Sequence, residues 1–277
     1  MATTTLKIEQ LTPTVGAEVL GVDLDHLVQD EALPGALMDA LEEHGVLAFR
    51  GLHMDDATQA EFCRKLGEVV LWPNSPIPEI FVVSLDPEKN PMAEYLKATV
   101  YWHIDGTIDP IPVKATLLSA KVLAAKGGET EFASTYAAYD DLSHEEKERF
   151  STLRVFHSQV PIQKLAHPDP TPEQLADWRA KSREHPLVWK HQTGRHSLVI
   201  GQTADYVVGM DEVEGRALLN ELNERATRPE RVYRHVWSEG DTVIWDNRGV
   251  VHRVMPYDPA SRREMHRTTL AGDEPIQ

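Results

Sequence analysis

Thr242-Val243-Ile244-Trp245-Asp246, a turn of Asn247-Arg248-Gly249, and Val250-Val251-His252-Arg253-Val254 form two short runs rich in β-branched and aromatic residues. Runs of this length bounded by turn residues read as strands. Comparable runs lie at 46–49, 81–83, 114–122, 129–133, 153–157, 186–191, 197–201, 231–237 and 263–270. Gly127-Gly128, Thr193-Gly194 and Glu239-Gly240-Asp241 separate them as turns. Helical spacing of apolar residues predicts helices over 32–44, 55–66 and about 212–226. Ser143 with Glu146, and Thr171 with Pro172 and Gln174, carry the capping pattern that starts two more. Many short strands and few long helices point to a mainly β fold with flanking helices, a sandwich or jelly roll, rather than a parallel α/β sheet.

The chain has 277 residues, no internal repeat and no linker-like stretch, so a single domain over 1–277 is expected. The polar, Pro-rich segment 158–185 interrupts two strands and reads as an insertion that could serve as a lid. A formal charge of -16 makes nucleic acid and anionic membranes poor partners, so a small molecule is the expected ligand. Met1-Ala2-Thr3-Thr4-Thr5 lacks the basic-then-apolar pattern of a secretory signal, and no apolar stretch is long enough to cross a bilayer. The lone Cys63 fits a reducing cytoplasm and reads as a packed thiol on a helix.

Tyr101-Trp102-His103-Ile104-Asp105-Gly106-Thr107 places a His and an Asp two residues apart. On a strand those side chains project from one face. His252 lies in the run already quoted, and Tyr257-Asp258-Pro259-Ala260-Ser261 reads as a turn. Folding back about that turn would set Arg263 opposite His252, with Arg267 further along the same face. Two imidazoles and one carboxylate leave half of an octahedral metal open, an arrangement associated with non-haem iron(II) oxygenases; zinc is less suited but not excluded. Two arginines on an inward face need anionic partners.

At these residues the chain resembles the taurine dioxygenase and aryloxyalkanoate (2,4-dichlorophenoxyacetate) dioxygenase family. The resemblance extends from Gly16-Ala17-Glu18-Val19 through Gly45-Val46-Leu47-Ala48-Phe49-Arg50-Gly51 and Gly127-Gly128-Glu129-Thr130 to Arg267-Thr268-Thr269. It implies a double-stranded β-helix, a cupin-like jelly roll, that uses Fe(II), 2-oxoglutarate as co-substrate and O2. It further implies that His103, Asp105 and His252 are the catalytic metal ligands and that Thr130 and Arg263 hold the distal carboxylate of 2-oxoglutarate. Arg267 matches the position that meets an anionic group of the primary substrate. Trp72 stands where sulfonate-binding members carry a His, which disfavours taurine and favours a bulky or aromatic acid; Ile108 also falls near the expected pocket.

The reaction implied is hydroxylation of a small, anionic organic substrate with release of succinate and CO2, and bond cleavage where the hydroxyl falls beside an ether or sulfate-ester oxygen. The carboxylate of Asp105 argues against the related halogenases, which replace it with a small residue. The same site could instead carry desaturation, epoxidation or rearrangement. A non-catalytic, ligand-binding jelly roll is the rival of another class, and it gives Arg263 and Thr130 no joint role. A cytoplasmic homo-oligomer is the expected state.

Overall fold

The computed structural model describes residues 6–277, so the Met1–Thr5 stretch read above for targeting signals lies outside the described residues. The N-terminal part runs β1 (Lys7–Gln10), β2 (Ala17–Leu20), α1 (Leu24–Gln29), α2 (Leu33–His44), β3 (Val46–Phe49), α3 (Asp56–Leu66), β4 (Phe81–Val83) and α4 (Ala93–Leu96). The middle contains β5 (Ala115–Val122), β6 (Thr130–Ser134), α5 (Thr135–Asp140), α6 (His144–Phe150), β7 (Arg154–Ser158), α7 (Val160–Ala166), α8 (Pro172–Ala180) and β8 (Ser182–Pro186). The remainder is β9 (Val188–Lys190), β10 (His196–Leu198), β11 (Ala204–Val207), α9 (Glu212–Ala226), β12 (Val232–His235), β13 (Thr242–Asp246), β14 (Val250–Val254) and β15 (Glu264–Leu270).

Seven strands form the main sheet in the order β1-β2-β3-β13-β5-β15-β4, antiparallel except where β2 meets β3. A smaller sheet has the order β12-β6-β14. Phe132, Tyr233 and Val250 of the small sheet share one apolar cluster with Ala48, Leu118, Val243, Trp245 and Met265 of the main sheet. The alternate residues Leu47, Leu117 and Ile244 face the other way, onto Leu37, Leu41, Phe62, Cys63 and Leu66 of α2 and α3. That two-sided burial explains why β3, β13 and most of β5 read as continuous apolar runs rather than alternating ones. On the outside of the small sheet, Val251 and Ala133 pack with Leu218, Leu219 and Leu222 of α9. The chain is thus sheet-rich, with helices flanking two facing sheets.

The capping signals are borne out. Ser143 and Glu146 exchange hydrogen bonds at the start of α6, as do Thr171 and Gln174 at the start of α8. Cys63 is buried, and burial pushes its thiol up to about 12, as befits an inert packed side chain.

Three expectations need correction. His103 and Asp105 are not on a strand: His103 makes an isolated bridge to His252, and Asp105 lies in the turn that follows. The turn at 257–261 does not form a hairpin that opposes residues 252 and 263. β14 pairs with β6 in the small sheet, whereas β15 pairs with β5 and β4 in the main one. The turn therefore carries the chain between sheets. The run at 186–191 is also split, since β8 pairs with β7 and β9 with β10; Leu187 between them is fully buried. Within 158–185 the chain forms α7, α8 and most of β8, so the insertion ends as a strand.

His157 of β7 is fully buried, with Nδ1 against Thr203 Oγ1 at 3.2 Å and no partner for Nε2 among the described residues. Burial, reinforced by neighbouring His185, pushes its pKa down to about 3. The folded chain then refuses a proton that the unfolded chain accepts near the usual value of 6.5. The contribution is fully present above that value and is lost as pH falls toward about 3. In urea unfolding across this window, His157→Gln should flatten the pH dependence by up to about 1.4 kcal/mol per pH unit. An unchanged slope would contradict the buried, neutral imidazole.

Candidate active site

Two backbone hydrogen bonds bring the first two site residues together. His103 N donates to His252 O at 3.1 Å, and His252 N donates to His103 O at 2.9 Å. A reciprocally bonded antiparallel pair projects both side chains from one face. The imidazole centroids are 4.3 Å apart. Asp105 closes the third side: its Oδ1 is 3.7 Å from His103 Nε2 and its Oδ2 is 3.8 Å from His252 Nε2. One ligand-capable atom from each of the three residues lies within 4.8 Å of the others, the only such cluster found among the described residues.

The protonation states suit a cation. The carbonyl of Tyr101 lies 2.8 Å from His103 Nδ1 and accepts a hydrogen bond from it, which turns Nε2 toward the cluster. Burial, with the charge of His103 adding to it, lowers His252 to about 3 and keeps it neutral. Burial alone would raise Asp105, but His252, Arg267 and His103 outweigh it and hold the carboxyl below its usual range. Two imidazoles and a carboxylate, arranged on one side, are a donor set for a divalent transition metal with positions left open.

Two cavities meet at this cluster, and both are lined by His103, Asp105 and Arg267. The first, of about 200 Å³, also includes His252, Thr130 and Arg263. Arg263 reaches it from the start of β15, not from a position opposite His252 in a hairpin. The guanidinium donates through Nη2 to Gly128 O at 3.0 Å and lies 4.8 Å from the Tyr257 ring centroid. It is 3% exposed, and no carboxylate is within ion-pairing distance among the described residues. Burial pulls its pKa below the usual arginine value, with Tyr257 and Glu129 opposing. Trp237 Nε1 donates to Thr130 Oγ1 at 3.0 Å. Since an indole can only donate, the Thr130 hydroxyl accepts there and keeps its own proton for another acceptor. No spacing pattern in the sequence marks Trp237 as the partner of Thr130.

The second cavity, of about 270 Å³, is walled by Trp72, Phe81, Ile104, Ile108 and Ile162, with Tyr95, Gln159 and Gln163 as polar lining. Trp72 and Ile108, both singled out from the sequence, line this cavity. Phe81, Tyr95 and the α7 residues were not foreseen, because nothing local in their sequence marks a pocket wall. Arg267 lies 4.7 Å from the Phe81 ring and 3.8 Å from Asp105 Oδ2. Its Nε, Trp72 Nε1 and Thr269 Oγ1 are all buried without a hydrogen-bond partner among the described residues, and all three residues line this cavity.

The description "Taurine catabolism dioxygenase TauD, TfdA family" matches residues 7–269. An (S)-phenoxypropionate/alpha-ketoglutarate-dioxygenase of Sphingobium herbicidovorans is 35% identical over 276 residues, covering 96% of this chain and 95% of that protein. An alpha-ketoglutarate-dependent sulfate ester dioxygenase of Pseudomonas putida is 32% identical over 281 residues, covering 98% and 91%. The crystal structure of AAD-2 with Mn(II) and N-oxalylglycine superposes with a TM-score of 0.83 at 33% identity, over 99% of this chain and 100% of that one.

The Gly127-Gly128 turn is what lets Arg263 lie where it does. Both residues have positive φ, and a Cβ at Gly128 would sit 2.8 Å from Arg263 Nε, while one at Gly127 would sit 2.0 Å from Pro256 O. Gly127→Ala should therefore cost more than the ~1–2 kcal/mol of left-handed strain. Gly194→Ala, at a similar φ with open space around it, should cost only that strain. Urea unfolding of both variants checks this; equal losses would remove the steric role of Gly127.

Proposed function

We propose that this chain, which belongs to the taurine catabolism dioxygenase TauD, TfdA family, couples decarboxylation of 2-oxoglutarate to oxygenation of a small organic anion. As a member it is an enzyme, an oxidoreductase dependent on 2-oxoglutarate. The balance is R–H + 2-oxoglutarate + O2 giving R–OH + succinate + CO2. The observation that carries this reading is the buried Arg263 guanidinium, unpaired with any carboxylate among the described residues, together with a Thr130 hydroxyl that accepts from Trp237 and keeps its own proton to donate. Both line the cavity that contains the three ligand atoms.

His103, Asp105 and His252 would hold iron(II), which would supply the redox chemistry. The chain's own groups do the rest. Arg263 offers a planar fork to the distal carboxylate of 2-oxoglutarate, and Thr130 adds a hydroxyl donor. The apolar walls Leu118, Val254 and Pro256 exclude water around the co-substrate stem. The second cavity receives the primary substrate. Unpaired buried donors need an acceptor, so Arg267 Nε, Trp72 Nε1 and the Thr269 hydroxyl favour an anionic headgroup there. Phe81, Ile108 and Ile162 favour an apolar body. Trp72 thus offers both an apolar ring and a donor. An aryloxyalkanoic acid or a comparably bulky acid fits these demands; oxygenation beside an ether oxygen would then cleave it.

The same reading takes the two facing sheets as a double-stranded β-helix. It takes the 158–185 insertion as a lid, supported by Ile162 and Gln163 of α7 in the cavity wall. It assigns a homo-oligomer in the cytoplasm, the latter supported by the single, buried Cys63. No helix among the described residues is long and apolar enough to cross a membrane.

The two arginines should separate kinetically. Losing a charge-assisted contact costs roughly 1.5–3 kcal/mol, about 10–100-fold. Arg263→Ala should raise the KM for 2-oxoglutarate by that factor and leave the organic acid less affected; Arg267→Ala should do the reverse. Steady-state kinetics on aryloxyalkanoic acids, with product mass read for one added oxygen or a cleaved bond, checks both. Unchanged co-substrate affinity in Arg263→Ala would overturn the assignment.

A further inference from the structure

The three ligand side chains are not supported alike. His103 is fixed by the Tyr101 carbonyl, whereas His252 Nδ1 has no hydrogen-bond partner among the described residues. Asp105 sits in a turn, outside any strand, yet its carboxylate is tied to the main sheet. Thr116 Oγ1 donates to Asp105 Oδ2 at 3.3 Å. Asn247 Nδ2 donates to Thr116 Oγ1 at 2.9 Å, and Trp245 Nε1 donates to Asn247 Oδ1 at 3.0 Å. Thr116 and Asn247 are fully buried and Trp245 is nearly so.

Each link in this series has one permitted direction. An indole N–H has no acceptor capacity, so the Asn247 amide must turn its oxygen to Trp245. Its NH2 then faces Thr116. That donor occupies an acceptor site on the Thr116 hydroxyl, whose single proton is left for Asp105. The series is also rigidly seated: Trp245 and Thr116 are register partners across β13 and β5, and Asn247 N donates to Lys114 O at 2.9 Å.

We propose that Thr116 and Asn247 are positioning residues that hold the Asp105 carboxylate in its metal-ligating orientation. Neither residue touches the metal or substrate; both act through Asp105. The proposal rests on the reading of Asp105 as a metal ligand. It assigns a role to the Asn247 of the turn between β13 and β14 and to a hydroxyl on β5 that metal-ligand spacing does not mark. A purely structural series would instead serve only to satisfy buried polar groups, and its loss would lower stability without touching the metal.

The test is anaerobic titration of metal-free protein with Fe(II) alone, by calorimetry, together with thermal unfolding of the same metal-free samples. Residues that orient a ligand typically change metal affinity by about 10–100-fold. Thr116→Val, which keeps shape and removes the hydroxyl, should weaken Fe(II) binding in that range. Thr116→Ser, which keeps the hydroxyl, should bind within a few-fold of the parent. Asn247→Leu should weaken binding in the same direction, and adding it to Thr116→Val should cost little more, because both act through one hydrogen bond. If Asn247→Leu does not fold, the Val and Ser variants decide the matter. Thr116→Val binding Fe(II) as tightly as the parent, whatever its melting temperature, would overturn the relay. Equal losses in Val and Ser would overturn it too. Failure of the parent to bind Fe(II) is a separate result, which would remove the metal-centre reading itself.

Discussion

The pair of hydrogen bonds exchanged between the backbones of His103 and His252 is the constraint on which the site depends. The segment around His103 is otherwise a turn-rich excursion between a short helical region and β5. That bridge is the direct backbone link between the His103 segment and β14. With it, the two rings sit 4.3 Å apart and the Asp105 carboxylate is delivered two residues later. The bridge in turn needs β14 to be fixed, and the small sheet does this by pairing His252 with Phe132. Phe132 is fully buried at the centre of the contact between the two sheets. The apolar core therefore sets the position of a polar site, through one strand and one two-residue contact.

Electrostatics supply the second layer. The chain carries a formal charge of -16, yet Arg263 and Arg267 are placed where carboxylates are scarce. The other buried arginine among the described residues, Arg248, has a conventional partner, since both oxygens of Asp246 bind it. Arg263 has only a carbonyl and a tyrosine ring, and Arg267 shares Asp105 with two imidazoles. A buried cation left so is costly unless an anion arrives. Both arginines line the first cavity, and Arg267 also lines the second. In the proposed reading, Arg263 meets the distal carboxylate of the co-substrate and Arg267 an anionic group of the primary substrate.

Much of this was legible in the sequence, and the failures have a common cause. The runs 242–246 and 250–254, the capped helices and the residue types of the site could be read because each is a local pattern. The pairing of strands could not. Alternation shows which side chains share a face, but not which neighbour a strand chooses. The turn at 257–261 looked like a hairpin, whereas residues 255–263 carry the chain from the small sheet to the main one. Arg263 still enters the expected cavity, by a different route. The short edge strand β1, its neighbour β2 and the bulged β11 had too little patterning to stand out. The cavity wall from Tyr95, Gln159 and Gln163 depends on α7 and a short helix coming together, and no spacing rule reports that.

The most direct measurement is succinate formation from 2-oxoglutarate by the folded, Fe(II)-loaded protein, with and without O2, over a panel of aryloxyalkanoic acids and sulfate esters. The two-histidine, one-aspartate face beside Arg263 predicts oxygen-dependent succinate release that at least one acid stimulates and that Asp105→Ala abolishes. No oxygen-dependent succinate with any acid, or undiminished release from Asp105→Ala, would contradict it.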